Sequence, residues 1–200
     1  MFGYFGRHRS KYRLTGPRVY IRPPCKWDQK QWMALRQESK DFLVPWEPLW
    51  GPDATSKRAF NRRLKRLQQD WSEGRGHGFY IFEEATNQLL GAITMSNVRY
   101  GVVQGANIGY WVGVSHARQG YMFEAIQLVL EFAFRKLNLH RIEAACLTSN
   151  DASRKLLIKS GFQEEGLARQ YLCINGRWQD HITYAILRND PRPAFPVQMG

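Results

Sequence analysis

Between residues 120 and 137, apolar side chains recur at every third or fourth position: Met122, Ala125, Ile126, Val129, Leu130, Ala133 and Leu137. This is the stripe that a helix presents to a core. Shorter stripes predict three more helices. One covers 28–38 and begins at Asp28. A second covers 56–72 with Ser56 as its cap; Ala59, Phe60, Leu64, Leu67 and Trp71 keep helical spacing, and basic residues fill the positions between. The third covers 151–160 and ends at Gly161, because glycine takes the left-handed turn of a helix end without a Cβ penalty.

Extended or alternating patterns predict strands over 18–22, 78–83, 89–100, 104–114, 141–147, 162–174 and 177–186. Pro23 and Pro24 stop the first. Asn87 and Gly101 mark turns, and Asn175-Gly176 signals a type I′ hairpin, which needs positive φ at both central residues. Residues 44–52 (VPWEPLWGP) are rich in Pro and Trp and read as a rigid loop. The order is strand, two helices, three strands, helix, strand, helix, two strands. That order predicts a mixed α/β sheet with helices on its faces. Residues 1–17 form a basic arm, 18–190 a single domain, and 191–200, with Pro191, Pro193 and Pro196, an irregular tail.

Composition narrows the class. The 200 residues are 44% hydrophobic and 14% aromatic, enough for one sizeable core. No stretch approaches the run of about 20 apolar residues that spans a bilayer. The basic start of the chain lacks the apolar segment of a signal peptide. Three widely spaced cysteines, Cys25, Cys146 and Cys173, suit a reducing cytoplasm and show no metal-ligand spacing, so no metal is expected. Net charge is +12, which favours polyanionic partners. The charge gathers in the arm (Arg7, Arg9, Lys11, Arg13) and on the helix from 57 to 66 (Lys57, Arg58, Arg62, Arg63, Lys65, Arg66). A solvated helix face accounts for such a run; so would contact with cofactor phosphates or ribosomal RNA.

Two local features carry chemistry. After the strand ending near Val114, the turn from Ser115 to Gly120 opens into the long helix. Backbone N–H groups of Gln119, Gly120, Tyr121, Met122 and Phe123 lack intrahelical partners there and make an anion site, with Arg118 as an added cationic donor. An ordinary helix start would look the same. The second feature is Asn150 with Ser153, eleven residues before Gly161-Phe162. Both residues cap helices well; both could also face a ligand cleft.

Together and in this order, the motifs are more specific. Ile108-Gly109-Tyr110-Trp111-Val112, Gly120-Tyr121-Met122-Phe123-Glu124-Ala125 and Asn150-x-x-Ser153 leading to Gly161-Phe162 resemble the GNAT superfamily of acyl-CoA N-acyltransferases, over about residues 18–186. Met1-Phe2-Gly3-Tyr4, Pro45-Trp46-Glu47-Pro48, Ser96-Asn97-Val98 and Trp178-Gln179-Asp180-His181 are similar to its RimJ-type branch of ribosomal-protein alanine N-acetyltransferases. The resemblance implies a mostly antiparallel, splayed central sheet of about six or seven strands with about four helices. It implies acetyl-CoA as co-substrate. The pantetheine arm would lie between the fourth and fifth strands, bonded to the backbone of Trp111, Val112 and Val114. The family's Arg/Gln-x-x-Gly-x-Gly/Ala turn would cradle the pyrophosphate; here Ser115 replaces Arg or Gln, and Arg118 replaces the first Gly.

The implied reaction is direct attack of an amine on the thioester in a ternary complex. An N-terminal amine with a pKa near 8 is roughly one-tenth neutral at pH 7. The enzyme must align the reactants, remove a proton and stabilise the oxyanion and leaving thiolate. A backbone N–H near Val112 is the expected oxyanion donor and Ser153 the expected proton donor to the thiolate, since the Tyr that many relatives carry is Leu157 here. Glu47 is the candidate base, with Asp180, His181 or a water chain as alternatives; Glu143, inside a strand, reads as structural. Trp46, Glu47, Asn97 and Tyr110 are expected to line the acceptor cleft, though Trp46 would serve equally as an aromatic plug anchoring its loop. The implied acceptor is the N-terminal α-amine of a ribosomal protein. Acetylation of a small amine or antibiotic remains open, as does a ribosome- or RNA-binding protein with a vestigial acyl-CoA site.

Overall fold

A computed structural model describes residues 12–199. Its strands are β1 (Leu14–Thr15), β2 (Val19–Arg22), β3 (His77–Glu83), β4 (Leu89–Arg99), β5 (Gly105–Val112), β6 (Arg141–Leu147), β7 (Gln163–Ile174), β8 (Arg177–Leu187) and β9 (Gln198–Met199). Its α-helices are α1 (Gln29–Glu38), α2 (Lys40–Leu43), α3 (Lys57–Ser72), α4 (Tyr121–Glu131) and α5 (Asp151–Lys159). The strands form one open sheet in the order β7-β8-β6-β5-β4-β3-β2-β1-β9. Every pairing is antiparallel except β5 with β6.

This is the expected mixed sheet, with three local differences. Two-residue strands β1 and β9 pair on its edge, inside the segments read as basic arm and irregular tail. Two residues carry no readable period, so sequence patterning could not reveal them. Residues 44–52 are not wholly irregular: α2 leads into a 3-10 turn at Val44–Trp46 that starts the loop. The long helix does not run unbroken to 137. It passes into a π-helical turn, Phe132–Lys136, with Phe132, Ala133 and Phe134 all buried. An extra residue per turn brings consecutive side chains inward that an α-helix would turn away.

The sheet has two buried faces. On one, α4 and α5 pack over Phe79, Ile81, Ile93, Ile108, Ile142 and Ile186. On the other, α1 and α3 pack Trp32, Leu35, Phe60 and Leu64 against Tyr20, Tyr80, Phe82 and Trp111. Burying each such side chain stabilises the fold by about 1.5–3 kcal/mol. Ser56 caps α3 as expected, its Oγ accepting the Ala59 N–H at 3.1 Å, and Asn175 (φ 45°) and Gly176 (φ 78°) make the left-handed hairpin turn; Asp28 makes no side-chain cap at the start of α1 and pairs with Arg22 instead. On β4, Gly91 is required by a close approach, because a Cβ there would sit 2.3 Å from the Trp111 carbonyl oxygen. Among the described residues, no helix is long and apolar enough to cross a membrane.

Candidate active site

The functional geometry starts where the sheet opens. β5 and β6 pair only through Gly105–Arg141, Ala106–Ile142 and Asn107–Glu143. Beyond Asn107 the register ends and the two strands diverge, so Ile108 to Val112 face β6 across a gap. Strand geometry says which backbone groups point into it. The Gly113 N–H donates to the Leu90 carbonyl of β4 at 2.9 Å. Backbone direction alternates along a strand, so Trp111 also turns its peptide groups toward β4, while Val112 and Tyr110 turn theirs toward the gap. Of the three residues expected to bond a pantetheine arm, Val112 is thus oriented for it. Trp111 is not: its backbone serves the β4 ladder and its side chain packs on the α1 side. Val114 is not either, since its N–H donates to Ser39 Oγ at 3.0 Å.

The turn after β5 is an anion cradle by shape. A 3-10 turn, Val114–His116, leads to Arg118 at φ 61° and Gly120 at φ 85°. Arg118 therefore adopts the left-handed conformation that a glycine would supply, at about 1–2 kcal/mol of strain. The substitution keeps the backbone turn and adds a charge. No side chain caps α4, which leaves the first-turn N–H groups of Tyr121, Met122 and Phe123 aimed along the positive end of the helix dipole. Gln119 braces the turn by donating from Nε2 to the Ser115 carbonyl at 2.8 Å. These groups suit a pyrophosphate.

Arg18 completes the cradle and has no counterpart in the motif reading. Its Nη2 lies 3.0 Å from where a Gly120 Cβ would stand. The buried Glu124 holds it, accepting from Arg18 Nε at 2.5 Å and from its N–H at 3.0 Å. Arg18 and Glu124 stand 106 residues apart in the chain, so it is the β2–α4 packing that brings Arg18 to the turn.

Across the gap stands α5. Asn150 caps it by accepting the Ser153 N–H at 3.0 Å, so the capping reading of Asn150 is realised. Ser153 Oγ lies 2.7 Å from the Tyr110 hydroxyl. Burial pushes the Tyr110 phenol above its usual range, so the phenol keeps its proton, and either hydroxyl of the pair can donate to the other. The Cys146 thiol adjoins the same serine and is raised mainly by burial, which keeps it in the unreactive thiol form.

On the α1 face, Glu47 is closely held. Arg36 donates to both of its oxygens, at 2.7 and 2.6 Å, and Trp50 Nε1 donates to Oε2 at 2.8 Å. The Arg36 guanidinium lies over the rings of Trp50 and Trp111. The Glu47 carbonyl accepts the Asn175 N–H at 2.9 Å, tying the loop to the β7–β8 hairpin tip. Trp46 beside it is 38% exposed, so it is not a buried plug. Asn97 is elsewhere: it donates to Asn107 Oδ1 at 3.4 Å, where β5 and β6 still pair, five residues from Val112 along β5. Asp180 is occupied, accepting the Gln170 N–H at 2.8 Å. Glu143 is bound to Arg99 and Arg141.

Comparisons with known proteins agree with this geometry. The acetyltransferase (GNAT) domain family matches residues 18–163. A probable N-acetyltransferase of Bacillus subtilis, YjcK, is 34% identical over 177 residues, which is 88% of this chain and 98% of that protein. The ribosomal protein uS5 alanine N-acetyltransferase of Escherichia coli is 31% identical over 193 residues, covering 96% of this chain and 99% of that one. The structure of Mycobacterium smegmatis RimJ in complex with CoA-disulfide superposes with a TM-score of 0.82 at 33% identity, covering 87% of each chain. The chain belongs to the GNAT acetyltransferase family and is an acetyl-CoA-dependent N-acetyltransferase.

Proposed function

We propose that the protein transfers the acetyl group of acetyl-CoA to the N-terminal α-amine of a ribosomal protein, with alanine as the first residue. The observation that carries this reading is the gap between β5 and β6, with the Val112 N–H on one wall and the Tyr110–Ser153 pair at 2.7 Å beside it. The relative named for uS5-alanine acetylation spans nearly the whole chain, which favours that acceptor over a small amine.

Acetyl-CoA supplies an activated acyl group. The chain's residues position it and manage charge. Arg118, Arg18 and the first-turn amides of α4 hold the phosphates. The Val112 N–H stabilises the oxyanion formed as the amine adds to the thioester carbonyl. Ser153 gives its proton to the sulfur as the C–S bond breaks and regains one from solvent, while Tyr110 holds the serine hydroxyl in place at 2.7 Å. Glu47 and Trp46 shape the acceptor wall. Three of the roughly four acceptor sites on the Glu47 carboxylate are already taken, which suits a wall better than a base.

The charge on α3 supports a second element of this proposal. Lys57, Arg58, Arg62 and Lys65 line a shallow exposed groove with Asn61, and the helix carries six basic residues against one acidic. Ribosomal proteins are themselves basic, so this face suits the RNA of an assembling particle.

The test is acetyl transfer to N-terminal alanine peptides, small amines and ribosomal particles, with the modified nitrogen mapped by mass spectrometry. Ser153→Ala should lower kcat for the accepted peptide by about 10–100-fold and leave CoA affinity within about threefold. Acetylation of small amines alone would overturn the acceptor reading.

A further inference from the structure

Arg36 and Trp50 already occupy three acceptor sites of the Glu47 carboxylate, and the structure offers another group for the amine's proton. His181 lies on β8, directly opposite Leu147 at the end of β6. Ile182, Tyr184 and Ile186 of β8 join the core under α4 and α5. Strand alternation therefore turns His181 to the other face, the same face as Trp111. The ring is 2% exposed. Its Nδ1 lies 2.9 Å from the Gln179 carbonyl oxygen. A carbonyl can only accept, so Nδ1 carries the hydrogen and Nε2 carries the free lone pair.

Nε2 has no hydrogen-bond partner among the described residues. It differs from both nitrogens of His77, which are sealed off from solvent as well as unpartnered; Nε2 of His181 is not among those sealed atoms. Nε2 thus keeps a small solvent contact although the residue as a whole is buried. β6 is the far wall of the gap, and β8 is the next strand, about 5 Å away. The ring is fixed by its Gln179 bond and by the edge of Tyr171, 5.9 Å between centroids. Leu147, opposite on β6, is apolar, and Asp180 is committed to Gln170. Among the described residues the imidazole makes no ion pair.

We propose that His181 is the general base of the transfer. Its Nε2 accepts the proton lost by the acceptor amine, directly or through one water, as the nitrogen bonds to the acyl carbon. The proton then leaves to solvent, while the sulfur takes its own proton from Ser153. The two proton transfers occur on opposite faces of the sheet. This inference rests on the amine-acetylation reading, whatever the acceptor's identity.

The test uses His181→Asn, whose amide can keep the bond to Gln179 but has no lone pair at the Nε2 position. Two acceptors are compared: an N-terminal alanine peptide, and the same peptide begun with an aminooxyacetyl group, whose weakly basic nitrogen forms an adduct acidic enough to lose its proton to water without a base. The variant should lose about 100-fold in kcat/KM for the alanine peptide and less than about threefold for the aminooxy peptide, with CoA affinity unchanged. The variant's pH profile on the alanine peptide should differ from that of the wild type. Added imidazole should restore part of the variant's rate. An equal loss on both acceptors, or a wild-type rate and pH profile on the alanine peptide, would overturn the proposal. Should His181→Asn fail to fold, His181→Gln is judged by the same ratio. Should the wild type reject every peptide, the ribosomal acceptor reading fails by itself, and the ratio is measured on paired ordinary and weakly basic forms of the amine it accepts.

Discussion

At the residue scale, two positions accept a local cost. Arg118 sits at φ 61° where a glycine would be relaxed. Arg118→Gly would release about 1–2 kcal/mol of strain but return up to about 1 kcal/mol through the freer unfolded chain. Stability should therefore rise by about 0–1.5 kcal/mol. If Arg118 holds a phosphate as proposed, the Kd for CoA should rise severalfold, with a weaker salt dependence; calorimetric titration at two salt concentrations checks both. An unchanged Kd would remove Arg118 from the cradle. His77 is the other position. It is buried against Trp71 and Phe132 with neither nitrogen bonded, and burial lowers its pKa to about 4. The unfolded chain, with an imidazole near 6.5, binds the proton first. Stability is therefore full above pH 6.5 and falls as pH drops toward 4, by on the order of 2 kcal/mol. His77→Phe should flatten that part of a Tm-against-pH curve; an unchanged slope would mean that other groups set it.

At the element scale, the basic face of α3 makes its own prediction. Reversing Lys57, Arg58 and Lys65 to Glu should weaken binding to ribosomal particles and reduce the slope of affinity against salt by about three. Transfer to a free peptide should stay within about twofold. Binding unchanged at low salt would sink the RNA contact. Much of the element pattern was legible in the sequence, and the reasons are physical. The stripe of α4, the Ser56 cap and the Asn175-Gly176 turn are local signals, and each element formed where its signal stood. The π-helical turn was not legible, because its cause is the core that draws Phe132, Ala133 and Phe134 inward together. The β5–β6 gap was anticipated through resemblance. Its backbone directions were not: which of Trp111 and Val112 faces the gap depends on a hydrogen bond between Gly113 and Leu90. Arg18 and Glu124 meet across 106 residues, a pairing that no local period can announce.

At the scale of the whole molecule, the sheet divides labour between its faces. The α4–α5 side holds the phosphate cradle and the Tyr110–Ser153 pair; the α1–α3 side holds Trp111, the Arg36–Glu47 pair and His181. The opening between β5 and β6 joins the two sides. One bond on the second side has a further consequence. The Asn175 N–H to Glu47 carbonyl contact joins the hairpin tip to the loop by main chain alone, so exchanging either side chain for another leaves it in place. The two banks of the proposed acceptor cleft are therefore pinned together at this point. Side-chain exchanges on either bank would change the lining of the cleft without cutting that pin.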